Sequence, residues 1–276
     1  MRLLFSLLLI PVVAYLTVVL LVYFGQSRLI YFPEAAPEIT NTPNDIGLMY
    51  ESITLTTPDG EALHGWFVPA SAARRTVLFF HGNAGNISHR LDYLPMFQQL
   101  GYNTLLFDYR GYGQSSGTPS ESGTYLDAQA AWQYLTETRS IAPAQIILFG
   151  ESLGGAVAAW LAAREHPGLL VLASTFTSVP DLAAEIYPFL PVRWITRFQY
   201  NTLETVPSIT CPIFIAHSPQ DEIIPFQHGQ RLFQAAHEPR QFLTLENGHN
   251  MGLIFMQPAW IKSLGEFMDA QLDKKS

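Results

Sequence analysis

Cysteine is almost missing: Cys211 stands alone among 276 residues, which excludes an internal disulfide and any cysteine-built zinc or iron–sulfur centre. Next to Pro212 at the start of an apolar run, it is expected simply to pack. Positive charge is also scarce. Fifteen Lys and Arg face 23 Asp and Glu, for a formal net charge of -8, so no basic surplus exists to neutralise phosphates and nucleic acid is not an expected partner. Anionic lipid headgroups would not attract such a surface either. No set of histidines and carboxylates on one element reads as metal ligands, and neither metal nor cofactor is expected. Internal repeats and low-complexity segments are lacking too. What is abundant is apolar surface, at 48% hydrophobic and 13% aromatic residues, enough for one large α/β domain and too little chain for a second.

The first apolar run, residues 3–24, would extend about 33 Å as a helix and so span a bilayer. Pro11 would break a soluble helix but is tolerated in membrane spans. The alternative is a secretory signal peptide, whose apolar part runs roughly 7–15 residues and ends in small residues. Here Tyr23, Phe24 and Gln26 occupy that end, so an uncleaved single-pass anchor over 1–27 is expected. Arg2 and Arg28 lie on opposite sides of the run. The positive-inside rule therefore leans towards a cytoplasmic N-terminus while leaving the side of the catalytic domain open.

Residues 28–50 are rich in Pro, Asn, Thr and Glu without helical periodicity and read as a linker over the domain surface. Its aromatic start, Ile30-Tyr31-Phe32, suits a membrane interface. A domain over 51–276 follows. Apolar strands at 52–56 and 62–68 flank Thr57-Pro58-Asp59-Gly60, where Asp-Gly supplies the positive φ angles of a tight hairpin. Short apolar runs at 76–80, 103–107, 145–149, 169–173, 212–216 and 241–245 then alternate with helical spacing near 90–100, 125–138, 153–165, 226–236 and 258–272, the pattern of a mostly parallel sheet covered by helices. Between about 174 and 207 the chain carries Pro180, Pro188, Pro191 and many aromatics and is too long for an ordinary connection. It is either a lid-like insertion over the substrate or an excursion whose aromatics pack on themselves.

The sharpest chemical motif is Gly150-Glu151-Ser152-Leu153-Gly154, set between an expected strand and an expected helix. In that context the serine occupies a strained strand-to-helix turn, and glycines two before and two after it relieve crowding. A serine hydroxyl is a poor nucleophile at neutral pH, so the motif calls for a histidine base and, before it in the chain, a carboxylate. Asp221 follows the 212–216 run, with Glu222 its nearest rival, and His249 follows the 241–245 run in Asn247-Gly248-His249-Asn250. Both leave the carboxyl ends of strands, where open α/β sheets build sites. His64, His89, His166, His228 and His237 fall in hairpin, helix or helix-end positions and read as structural; His217 is nearer the site but precedes the acid. Directly after the 76–80 run, His81-Gly82-Asn83-Ala84-Gly85-Asn86 stands where an oxyanion-hole loop is required, unless it is only a tight turn. The expected donors are the backbone N–H groups of Asn83 and Leu153.

Taken in order, Thr57 to Gly60, His81 to Asn86, Asp108-Tyr109-Arg110-Gly111-Tyr112-Gly113 with Ser115 and Gly117, and Gly150 to Gly154 resemble the successive motifs of the α/β-hydrolase superfamily, and more narrowly its single-pass, membrane-anchored hydrolase-domain proteins. The resemblance runs from about residue 30 to the C-terminus; it departs at Ser218, where relatives commonly carry glycine after the histidine. It implies the α/β-hydrolase fold with Ser152, His249 and Asp221 as catalytic triad, no cofactor, and a mainly structural 108–117 segment in which Arg110 pairs a carboxylate. The implied activity is hydrolysis of carboxylic esters or thioesters, with acyl or lipid-like substrates suggested by the apolar insertion and the tether. A serine peptidase of the same fold, or a non-catalytic membrane binding module, are the alternatives. Oligomeric state is not readable.

Overall fold

The computed structural model describes residues 2–33, 38–71, 73–249 and 257–272. Asn250 of the histidine loop, part of the 28–50 linker and the last residues of the 51–276 domain lie outside the described residues.

Among the described residues eight strands, β1 (Glu51–Thr56), β2 (Ala62–Val68), β3 (Arg75–Phe80), β4 (Tyr102–Phe107), β5 (Ile146–Glu151), β6 (Leu169–Ala173), β7 (Ile213–His217) and β8 (Arg240–Thr244), form one sheet in the order β1-β2-β4-β3-β5-β6-β7-β8. β2 pairs antiparallel to both neighbours, and all pairings from β4 to β8 are parallel. Continuous apolar runs suit these central strands because both faces are covered. One face presents Leu78, Phe80, Leu105, Phe107 and Leu148 to α3 (Glu121–Gln133) and α4 (Leu153–Glu165), through residues such as Trp132 and Val157. The other presents Val77, Phe79, Ile147 and Phe149 to α2 (Tyr93–Gln99) and α9 (Pro258–Leu272), through Phe97, Leu264 and Met268. Alternation along each strand splits the core in two, with the sheet as partition.

The N-terminal helix α1 runs over Arg2–Ile30, three residues into the expected linker. Its Leu9–Ile30 part is long and apolar enough to cross a membrane, by length and composition, a property that an anchor shares with a signal sequence. The following aromatics do not sit at a surface as a pair. Tyr31 is buried, with its hydroxyl 2.8 Å from that of Tyr200, and only Phe32 is exposed. Burial of the apolar ring favours this inward placement, and the Tyr200 hydroxyl offsets the desolvation of its own.

The 174–207 stretch holds three short helices, α5 (Val179–Ile186), α6 (Val192–Ile195) and α7 (Thr202–Thr205), before β7, while α8 (Phe226–Ala235) follows β7. In the β1–β2 hairpin only Gly60, at φ 92°, takes a positive φ. Asp59 is not needed for the turn's left-handed angle; its carboxylate instead receives Arg110 Nη1 at 2.7 Å and Nη2 at 3.0 Å. Arg110 also donates to buried Asp127 through Nε at 2.9 Å, so the carboxylate partner expected for Arg110 is present twice.

Candidate active site

β5 enters the site and α4 leaves it through Ser152, whose φ of 53° and ψ of -119° lie in a region that non-glycine residues avoid, at a typical cost of about 1–3 kcal/mol. The turn is held on both sides. Ser152 N–H donates to Ala173 O at 2.9 Å, and the Thr175 hydroxyl donates to Ser152 O at 2.6 Å. The glycines are required by space: a Cβ at Gly150 would stand 2.5 Å from Gly154 O, and one at Gly154 would overlap the Phe80 carbonyl. Leu153, first residue of α4, has an N–H without an intrahelical acceptor, and the helix brings its positive dipole end to the serine.

Three loops at the carboxyl ends of strands converge here. His249 Nε2 lies 3.2 Å from Ser152 Oγ, and His249 Nδ1 lies 2.8 Å from Asp221 Oδ2. The other oxygen of Asp221 accepts the N–H groups of Ile223 at 3.0 Å and Ile224 at 2.7 Å. Burial opposes ionisation of this carboxyl, but hydrogen bonding from His217 and His249 outweighs it, so Asp221 is held below the usual carboxylate range. Glu222, the rival acid, takes a different part: its Oε2 accepts the backbone N–H of His249 at 2.8 Å. Asp221 thus holds the ring and Glu222 the backbone.

His217, which precedes the acid in the chain, belongs to the same cluster. Fully buried, it donates from Nε2 to Ile224 O at 2.9 Å, with Asp221 Oδ2 at 3.4 Å. Its i, i+4 relation to Asp221 was the available signal. His228 accepts the Thr177 N–H at Nδ1, 3.1 Å away, and faces Glu185 Oε1 at 3.4 Å, which is a structural role.

The loop after β3 lies across from Ser152, and Gly82, Asn83 and Ala84 line the same cavity. Asn83 is braced through its amide nitrogen and its carbonyl: Nδ2 donates to Ile30 O at 3.0 Å, and O accepts Phe32 N–H at 3.0 Å and the Tyr112 hydroxyl at 2.9 Å. Arg90, which carried no signal in the sequence, ties this loop to the serine turn. Its Nη2 donates to Ala84 O at 3.1 Å, and its Nε lies 3.2 Å from Glu151 Oε2. Beneath the loop, burial lowers the His81 pKa to about 3 and raises that of Asp108 to about 8, favouring the uncharged form of each, with His81 Nε2 and Asp108 Oδ1 3.6 Å apart.

Ser152 and His249 open into a cavity of about 440 Å³ whose walls include Phe176, Leu182, Ile186, Val192 and Ile195, together with Val22, Leu29 and Ile30 of α1. It suits an apolar group next to a polar reacting centre.

Residues 75–206 match the family model described as the alpha/beta hydrolase fold. The alpha/beta hydrolase domain-containing protein WAV2 of Arabidopsis thaliana is 37% identical over 260 residues, which cover 85% of this chain and 83% of WAV2. The chain belongs to the alpha/beta-hydrolase family. Another relative, the bem46 protein of Schizosaccharomyces pombe, is 35% identical over 74% of this chain and 72% of its own length. Among solved structures, an esterase of Pyrococcus furiosus superposes with a TM-score of 0.73 over 86% of this chain and 97% of that one, at 21% identity, which speaks for the fold of this hydrolase.

Proposed function

We propose that this alpha/beta hydrolase is a membrane-anchored serine hydrolase cleaving ester or thioester bonds of acyl or lipid-like substrates. The observation that carries the reading is the line from Asp221 through His249 to Ser152, at 2.8 and 3.2 Å, at the base of an apolar cavity. His249 Nε2 takes the Ser152 proton as Oγ attacks the substrate carbonyl, and Asp221 steadies the imidazolium and fixes its tautomer. The oxyanion of the tetrahedral intermediate is met by the N–H groups of Asn83 and Leu153, each donor of this kind contributing about 2.7–4 kcal/mol. Collapse expels the alcohol or thiol, which takes the proton from His249. Water, deprotonated by the same imidazole, then releases the acid and frees Ser152.

Retention of the apolar helix as an anchor is supported by its ties to the domain. The Gln26 amide donates to Ile195 O at 2.8 Å and accepts the Arg197 N–H at 2.8 Å, bonds that cleavage of a signal peptide would remove. A lid role for residues 174–207 is supported by the five cavity residues they contribute from α5 and the turn after it, Val179, Leu182, Ala183, Ile186 and Tyr187. The test is turnover of p-nitrophenyl acyl esters, acyl thioesters and aminoacyl amides by wild type and Ser152→Ala. Ester or thioester turnover lost in the variant is expected; turnover of amides alone transfers the reading to a peptidase, and undiminished turnover in the variant removes it.

A further inference from the structure

The helix that reads as an anchor is also a wall of the cavity. Val22, Gln26, Leu29 and Ile30 of α1 line the space above Ser152, opposite α5 and α6. In an ordinary tethered enzyme the span and the active site are separated by a linker. Here they share side chains. Gln26, a polar residue within the apolar run, is buried and clamps the backbone of Ile195 and Arg197.

The depth of the insertion along α1 indicates what surrounds the cavity mouth. The Tyr15 hydroxyl donates to Phe189 O at 3.0 Å. Tyr15 lies fifteen residues before Ile30, about 22 Å along the helix axis, and well inside the Leu9–Ile30 span. The turn between α5 and α6 therefore reaches deep beside the span. Phe189 in this turn is 86% and Trp194 in α6 91% exposed, a costly display in water but a natural one in hydrocarbon. At the rim of the cavity, Leu29, Ile186 and Tyr187 are also exposed. Exposed apolar residues thus occur on the span, on the insertion and among the residues lining the cavity.

Resting on the hydrolase reading above, we infer that the substrate is an acyl lipid resident in the bilayer. It enters the cavity sideways, between α1 and the α5–α6 turn, with its chain against Val22 and Leu29 and its ester at Ser152. α1 thereby sets acyl selectivity as well as location. Lateral entry spares the lipid chain transfer through water, which would cost roughly fourfold in rate for each methylene exposed.

The experiment uses the full chain in phospholipid vesicles and measures p-nitrophenyl esters of two to sixteen carbons, followed by a long-chain acyl glycerol embedded in the bilayer. Val22→Trp fills the α1 wall and is expected to lower the ratio of sixteen-carbon to four-carbon turnover at least tenfold, the room of two or more methylenes. Val22→Ala is expected to shift the preference towards longer chains, so misfolding, which removes all turnover together, cannot imitate the pair. Phe189→Ser with Trp194→Ser is expected to lower the ratio of embedded-lipid to soluble-ester turnover at least fivefold. Chain-length profiles unmoved by both Val22 variants, or an unmoved ratio in the double serine variant, would overturn the inference while leaving Ser152 chemistry standing. Soluble-ester turnover that survives Ser152→Ala would instead overturn the hydrolase reading on which it rests.

Discussion

Replacing Asp221 with Asn changes little in shape, so its effect isolates the charge and the direction of one proton. Oδ1 of Asp221 is committed to the N–H groups of Ile223 and Ile224, while Oδ2 faces His249 Nδ1 at 2.8 Å. An asparagine keeps its carbonyl oxygen on those two donors and therefore turns its NH2 towards Nδ1. The imidazole must then carry its proton on Nε2, which points at Ser152 Oγ, and no lone pair remains to take the serine proton. Loss of the carboxylate also leaves the imidazolium of the transition state unpaired. At about 4 Å between charge centres and an effective dielectric near 20, that pairing contributes about 4 kcal/mol, or roughly three powers of ten in rate. Together with the wrong tautomer, a fall in kcat of about 10³ to 10⁴ is expected. Glu222→Gln retains an acceptor for the His249 N–H and is expected to fall less than tenfold. Steady-state kinetics on one p-nitrophenyl ester, with circular dichroism to verify folding, make the comparison. An Asp221→Asn enzyme keeping more than a tenth of wild-type kcat, or a Glu222→Gln enzyme falling as far, would refute the assignment of the acid.

Other expectations concern the scaffold. Ser152→Gly relieves a φ of 53° and is expected to raise unfolding stability by about 1 kcal/mol over Ser152→Ala, the reverse of the usual Gly-to-Ala order, as read from denaturant midpoints. Gly154→Ala drives a Cβ into the Phe80 carbonyl and is expected to destabilise by about 1–3 kcal/mol in the same assay, with loss of turnover. Asp108, with its pKa pushed up to about 8 by burial, holds its proton in the folded chain at pH values where the unfolded chain has released it. Its stabilising contribution is therefore complete below the ordinary carboxylate range and is lost as pH rises towards 8. Asp108→Asn is expected to flatten this part of a melting-temperature profile against pH, and an unchanged slope would contradict the burial argument.

Strand positions were legible to within two residues because runs such as 103–107 are apolar, buried in the sheet and need no cue from distant chain. The serine turn was legible because Gly150 and Gly154 are demanded by backbone contacts that are local to β5 and α4, apart from Phe80. What escaped reading were side-chain meetings across long separations. Tyr31 had the composition of an interface aromatic, and only its hydrogen bond to Tyr200 explains its burial. Arg90 joins Ala84 to Glu151, and Gln26 reaches Ile195. Neither has a periodicity or motif to announce it. Adjacent carboxylates on one loop differ in where they point, and only the geometry shows Asp221 on the His249 ring and Glu222 on its backbone N–H.

Ser152 Oγ as the nucleophile is tested by the mass of the covalent adduct formed with a fluorophosphonate probe, followed by peptide mapping. One adduct per chain on the peptide containing Ser152, absent from Ser152→Ala and slowed in His249→Ala, is the expected result. An adduct formed equally by Ser152→Ala, or mapped to another residue, would exclude Ser152 as the nucleophile.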